Sequence, residues 1–166
     1  ERILAGDSDP TRTPGPDDVM LVAVDERGRR RELTRAAAVA AVAQVAAALA
    51  HQGVGAGDRV VAWMPNTLES MVAMLGAASL GAVFSSCSPD FGADGVLDRF
   101  GQIEPVVLVA ADGYTYGGRA HDRRDELGRI LEGLPTLRAV VVVPFLSDAP
   151  DLGGIATRSG APAVTW

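Results

Sequence analysis

The chain has 166 residues, a formal net charge of −6 and a hydrophobic fraction of 48%. That is enough chain and enough apolar content for one domain, or part of one, with a buried core. The acidic balance argues against nucleic acid or an anionic membrane as partner, and the single cysteine, Cys87, excludes an internal disulfide and a cysteine-built zinc site.

Residues 1–18 are rich in Asp, Pro, Thr and Gly and read as an arm or loop. The apolar run 19–24, the turn Asp25-Glu26-Arg27-Gly28 and residues 29–33 predict an edge hairpin. Thr34 is placed to cap a helix reaching about Gln52, with Val39, Val42, Val45 and Leu49 on its apolar face. Its alanine-rich run falls short of the ~20 apolar residues that span a bilayer. That run also contains Gln44 and is flanked by Arg35 and His51, so it reads as a packed helix. No signal-peptide pattern and no Met opens the chain. Gly53 is the expected left-handed stop, with Val54 folding back onto the last turn.

Residues 59–64 predict a strand. Asn66 is expected to cap the next helix, with Glu69 three residues on closing a capping box. Met71, Val72, Leu75 and Ala78 form that helix's inner face and Gly81 ends it. Ala82, Val83 and Phe84 read as a buried strand, and Ser85, Ser86, Cys87 and Ser88 as a loop of small residues. A short helix follows, with Asp90 or Asp94 at its cap, on which Val96, Leu97, Phe100 and Ile103 recur at helical spacing until Pro105 stops it. A strand at 106–110, a glycine- and tyrosine-bearing loop at 112–120, a helix at 122–133 burying Leu127, Ile130 and Leu131, and a strand at 137–143 complete the pattern. Strands alternating with helices through short connections predict an α/β fold, a parallel sheet flanked by helices. Residues 19–146 form that α/β unit, and 147–166 read as an irregular tail.

The run Gly53-Val54-Gly55-Ala56-Gly57-Asp58 has the look of a dinucleotide loop, but it follows a helix and opens a strand. A phosphate loop needs the reverse order, so this is a turn. The stretch 85–90 lies beyond the carboxyl end of a strand, where ligand crevices form. Either small side chains let a thin ligand pass there, or the stretch is a tight strand-to-helix connection. Cys87 has no histidine near it in sequence and reads as packing. His51 and His121 read as surface residues at helix ends, Arg123 and Arg124 as solvent-facing, and Asp98-Arg99 as a surface pair. No residue is assigned as catalytic or as a metal ligand. All 15 basic residues are arginine, so a mechanism that needs a phosphate-holding lysine cannot be completed within these residues.

The run Ser88-Pro89-Asp90-Phe91-Gly92, followed by Val96-Leu97-Asp98-Arg99-Phe100-Gly101-Gln102-Ile103-Glu104-Pro105, resembles the acetoacetyl-CoA synthetase branch of the adenylate-forming acyl-CoA synthetase superfamily. The resemblance runs from about residue 31 to 143. It implies part of the large N-terminal domain of a ligase that activates acetoacetate with ATP and Mg²⁺ to an acyl-adenylate, then passes the acyl group to coenzyme A. It also implies that Ser88, Pro89 and Asp90 wall the channel for coenzyme A and its pantetheine arm. Arg119 matches a loop that touches the nucleotide end of the coenzyme, where a guanidinium suits phosphate oxygens. The bland alternative is a solvated arginine on a mobile loop. The family pattern has an acidic capping-box residue where Ala37 stands.

The superfamily's Ser/Thr/Gly-rich loop ending in Lys, its ribose-binding acid and its C-terminal lysine domain are not among these residues. The fragment is therefore expected to be inactive alone and to hold no cofactor tightly. Its expected partners are a small acyl acid, coenzyme A and the remainder of its own chain, in the cytoplasm. Self-association through Val60, Val61, Val83, Val107 and residues 140–143 is expected if their cover lies elsewhere in the chain. Two other readings stay open: a short-chain acyl-CoA synthetase of acetyl or propionyl type, and a non-catalytic α/β interaction or nucleotide-binding module.

Overall fold

The computed structural model describes residues 13–153, 155–158, 160–161 and 163–166, so most of the expected arm at 1–18 lies outside the described residues. β1 (Val19–Val24) and β2 (Arg30–Thr34) form the expected antiparallel hairpin. The Asp25 carboxylate closes its turn by accepting the Arg27 and Arg29 backbone N–H groups at 2.9 and 2.8 Å. β2 runs straight into α1 (Arg35–His51), where the Thr34 hydroxyl accepts the Ala37 N–H at 3.2 Å. Gly53, at φ +77°, ends the helix as expected. Its N–H and that of Val54 return to the Ala50 and Leu49 carbonyls at 2.9 and 3.0 Å.

β3 (Arg59–Trp63), α2 (Leu68–Ser79), β4 (Val83–Cys87), α3 (Ala93–Phe100) and β5 (Val107–Ala111) follow. Then come β6 (Gly113–Tyr116), β7 (Arg119–Asp122), α4 (Arg124–Gly133), β8 (Ala139–Val143) and β9 (Val164–Thr165). The main sheet has the order β4-β3-β5-β8-β9, with every neighbouring pair parallel. Val61, Trp63, Leu108, Ala110, Val140 and Val142 face α3 and α4. Their neighbours Val60, Ala62, Val107, Val109, Ala139 and Val143 face α1 and α2. Because both faces are covered, the central strands read as continuous apolar runs rather than alternating ones. α1 and α2 meet closely at Gly76, where a Cβ would stand 2.8 Å from Val45 Cγ1.

Several local expectations are corrected. The cap of α2 is Thr67, not Asn66, and its partner is Ser70, not Glu69. Thr67 Oγ1 accepts the Ser70 N–H and Ser70 Oγ accepts the Thr67 N–H, at 3.3 and 3.1 Å. Glu69, largely buried, instead pairs with the exposed Arg31 at 2.6 Å. Gly92, not Asp90 or Asp94, caps α3, with no side-chain bond. Val39 is 61% exposed, and the inner face of α1 is led by Ala38, fully buried against Leu21 of the hairpin. Alanine is too small to mark a face by periodicity alone. The segment expected as a loop at 112–120 is the β6–β7 hairpin, and the tail expected to be irregular adds β9 to the sheet. β4 is an edge strand with Val83 53% exposed, and Ser85 to Cys87 belong to it rather than to a loop. Val60, Val61, Val107 and Val140 are fully buried, so the apolar surface left open lies elsewhere.

Candidate functional site

The site follows from strand order. The chain leaves β3 toward the α1–α2 face, through α2. It leaves β4 and β5 toward the other face, through α3 and α4. Neighbouring strands whose connections diverge to opposite faces open a crevice beyond their carboxyl ends. Two cavities stand there. One, of about 210 Å³, lies between the β3 and β4 ends and is lined by Met64, Asn66, Ser70, Phe84, Ser86 and Ser88, among others. The other, of about 710 Å³, lies between the β3 end, the two hairpins and the β8 end, and includes Glu26, Arg31, Asn66, Thr67, Tyr116 and Phe145. Asn66 lines both. Sequence reasoning assigned Asn66 only to a cap; the signal that places it here is its position just beyond a strand that precedes a change of direction in the sheet.

Ser88 and Asp90 are exposed on the connection after β4, and Pro89 between them is buried. Ser88 lines the smaller cavity, and its carbonyl accepts the Phe91 N–H at 3.2 Å. Arg119 is exposed at the start of β7, paired with Tyr116 across the Gly117-Gly118 turn. Both groups stand at the carboxyl ends of the sheet. They follow strands β4 and β5, which flank β3, and Arg119 is carried further out, at the tip of the β6–β7 hairpin. The fold brings them to one edge without joining them in one cavity.

The hairpin that carries Arg119 is held firmly at its base. Asp112, 3% exposed, accepts N–H groups from Phe145, Leu146 and Ser147 at 2.8, 3.0 and 3.1 Å. Its carbonyl accepts the Arg123 N–H at 3.0 Å, closing the foot of the hairpin. At Gly113 a Cβ would stand 2.3 Å from both the His121 carbonyl oxygen and Leu146 Cδ1, so only glycine fits. His121 is not a helix-end surface residue; it lies on β7 and stacks on Tyr114 at 4.8 Å. Arg123 is not solvent-facing either. Its side chain is 18% exposed, donates to the Tyr114 hydroxyl at 3.1 Å and pairs with Glu126. Arg124 grips Asp122 and the Asp151 carbonyl, and Arg99 lies over the Phe91 ring at 4.3 Å.

Cys87 sits at the end of β4, opposite Trp63 in the sheet register and lining the smaller cavity. Burial pushes its thiol up to about 11, with Arg99 opposing and Asp90 assisting. At neutral pH it is a thiol and not a nucleophile. Among the described residues no group of three His, Cys, Asp or Glu gathers to hold a metal ion, and no helix is long and apolar enough to cross a membrane.

Comparison with known proteins places this geometry in context. A family model described as AMP-binding enzyme matches residues 10–163. The chain is 49% identical over 108 residues to an acetoacetyl-CoA synthetase of Gallus gallus, an overlap of 65% of this chain and 16% of that protein. It is 48% identical over 115 residues to an acetoacetyl-coenzyme A synthetase of Rhizobium meliloti (strain 1021), covering 68% of this chain and 17% of that one. The solved acetoacetyl-CoA synthetase from Streptomyces lividans matches with a TM-score of 0.78 at 45% identity, over 87% of this chain and 21% of that one. A Brucella canis acyl-CoA synthetase matches at 25% identity and a TM-score of 0.65, over 88% of this chain and 24% of that one. The chain thus spans 16–17% of the length of these two curated relatives.

Proposed function

This chain belongs to the AMP-binding enzyme family, and on that premise we propose that it is an N-terminal part of an acetoacetate–CoA ligase. The whole enzyme joins acetoacetate to ATP as an acyl-adenylate, releasing pyrophosphate, and then transfers the acyl group to the coenzyme A thiol, releasing AMP. The observation that carries this reading is 45% identity and a TM-score of 0.78 over 87% of the chain to a solved acetoacetyl-CoA synthetase.

Within that reaction the chain's part is the coenzyme side. Ser86 and Ser88 present short side chains to a narrow cavity, which suits a thin pantetheine arm. Ser88, Pro89 and Asp90 form the wall, and Arg119 meets the phosphates of the nucleotide end. The lysine that the family uses on the ATP phosphates is not among these residues. The chain has no lysine, and no three carboxylate, thiol or imidazole groups gather among the described residues. In the family this reading rests on, charge on the transferring group is met by a loop ending in lysine, so we assign that role to the remainder of the enzyme. We place the enzyme in the cytoplasm on the reading that its substrates are small and water-soluble.

The test is an assay of the full-length gene product with ATP, Mg²⁺, coenzyme A and acetoacetate. The expected result is acetoacetyl thioester with matching AMP and pyrophosphate. Equal rates with acetate or propionate would replace the acyl assignment with a broader short-chain one, and absence of any thioester would overturn the ligase reading. The 166-residue piece alone is expected to catalyse no acetoacetate-dependent pyrophosphate exchange.

A further inference from the structure

We propose that Glu26 is a positioning residue for the coenzyme A step: from the β1–β2 turn it fixes the tip of the β6–β7 hairpin and, through that tip, Arg119. The inference rests on the reading that Arg119 meets the nucleotide end of coenzyme A. Tyr116 and Arg119 are paired across a two-residue turn. Its residues Gly117 and Gly118 take φ values of +57° and +75°, the left-handed pair that a tight hairpin turn requires. Their two successive N–H groups converge on one carboxylate. Glu26 Oε2 accepts from Gly117 at 2.9 Å and Oε1 accepts from Gly118 at 3.1 Å. One oxygen on each of two adjacent amides sets the orientation of the turn as well as its position, as a single bond could not. Arg119 is the very next residue.

The base of the hairpin is held separately, by Asp112 and by the tight packing at Gly113. Only the tip depends on Glu26. Its neighbour Asp25 is spent on the β1–β2 turn itself, accepting the Arg27 and Arg29 amides. That shaped turn presents Glu26 to a segment about 91 residues further along the chain. Glu26 and Tyr116 both line the larger cavity, so the contact joins the two hairpins along one side of the crevice. Glu26 is itself exposed, so its loss removes an orientation and leaves the core intact.

The experiment uses the full-length enzyme carrying Glu26→Ala, Glu26→Gln, Arg119→Ala, and the double variant Glu26→Ala with Arg119→Ala. Glu26→Ala is expected to raise the apparent KM for coenzyme A about two- to five-fold, with acetoacetate-dependent pyrophosphate exchange near wild type. Glu26→Gln, which keeps one acceptor oxygen, is expected to fall between. The double variant is expected to be no worse than Arg119→Ala, because Glu26 acts through that residue. An unchanged KM in Glu26→Ala, fully additive losses in the double variant, or equal damage to both half-reactions would each overturn the inference while leaving the role of Arg119 standing. If Arg119→Ala itself leaves the KM for coenzyme A unchanged, the reading of Arg119 fails, and the inference falls with it.

Discussion

Asp112 accepts the Leu146 amide on both carboxylate oxygens, at 3.0 and 3.3 Å. The Phe145 and Ser147 amides complete the cluster, and the carboxylate is almost fully enclosed. One side chain therefore ties the end of β5 to the segment leaving β8, and its own backbone closes the β6–β7 hairpin. Asp112→Ala removes the acceptor of three part-buried N–H groups. The expected loss is about 2–4 kcal/mol of stability, since each unmet buried group costs on the order of 1–3 kcal/mol. Asp112→Asn keeps one acceptor and should lose less. A lower urea midpoint at unchanged slope would show it; a midpoint equal to wild type for Asp112→Ala would refute the role.

Cys87 should resist alkylation in the folded protein at neutral pH and react readily in concentrated urea, because burial holds it as the thiol. The same shift carries a pH dependence. The folded value, about 11, lies above the ordinary 9.0, so the folded state binds the proton more tightly. Stability from this group is full below 9.0 and is lost as pH rises through about 11. Cys87→Ala should flatten the alkaline slope of stability in that window. Fast native-state labelling at neutral pH would contradict the burial argument.

The architecture was legible where period and punctuation agree. Thr34 at the head of an apolar helix, Gly53 at its end, and valine runs bounded by Gly and Pro each admit one local structure. The misses have physical causes too. Asn66, Thr67 and Ser70 all carry groups able to cap a helix, and only the tertiary path of β3 decides which hydroxyl meets which N–H. The hairpin at β6–β7 is only four residues per strand, so it carries almost no periodic signal. Its Gly117-Gly118 turn was the available clue. Ser88 was placed at a crevice by its position beyond a strand's carboxyl end, whereas its role as a coenzyme wall and that of Arg119 came from resemblance. The fold sets them at one edge of the sheet, but Glu26, which grips the tip that bears Arg119, leaves no trace in local sequence because its partners are about 91 residues away.

Arg119→Ala in the whole enzyme should raise the apparent KM for coenzyme A and leave adenylation nearly untouched. Arg119 is exposed, so the lost phosphate contact is expected at the low end, about 0.7–1.4 kcal/mol, or roughly three- to ten-fold. A solvated ion pair is screened by salt, so the difference between variant and wild type should shrink as ionic strength rises. An effect on both half-reactions alike would instead mark Arg119 as structural.

The isolated 166-residue piece should self-associate. A trough of about 300 Å³ opens between α1 and the β8–β9 edge: its floor, Leu49, Val107 and Val109, is buried, and its rim is formed by Val164 and Trp166. Val164 is 51% exposed and Trp166 41%. At the opposite edge β4 leaves Val83 open. Exposed apolar side chains at a sheet edge favour association, and an open edge strand favours pairing with another chain. Neither feature is repaired by α1, whose exposed residues next to the trough, Gln44 and Ala48, are polar or small, as is its C-cap Gln52. Sedimentation at low micromolar concentration should therefore show species heavier than the monomer and binding of an apolar dye. Trp166→Glu and Val164→Lys should reduce both, since they place charge in the trough without touching the buried core. A monomer that binds no dye would show that the piece covers its own sheet in solution, and would favour a self-sufficient α/β module over a part that needs the rest of a ligase around it.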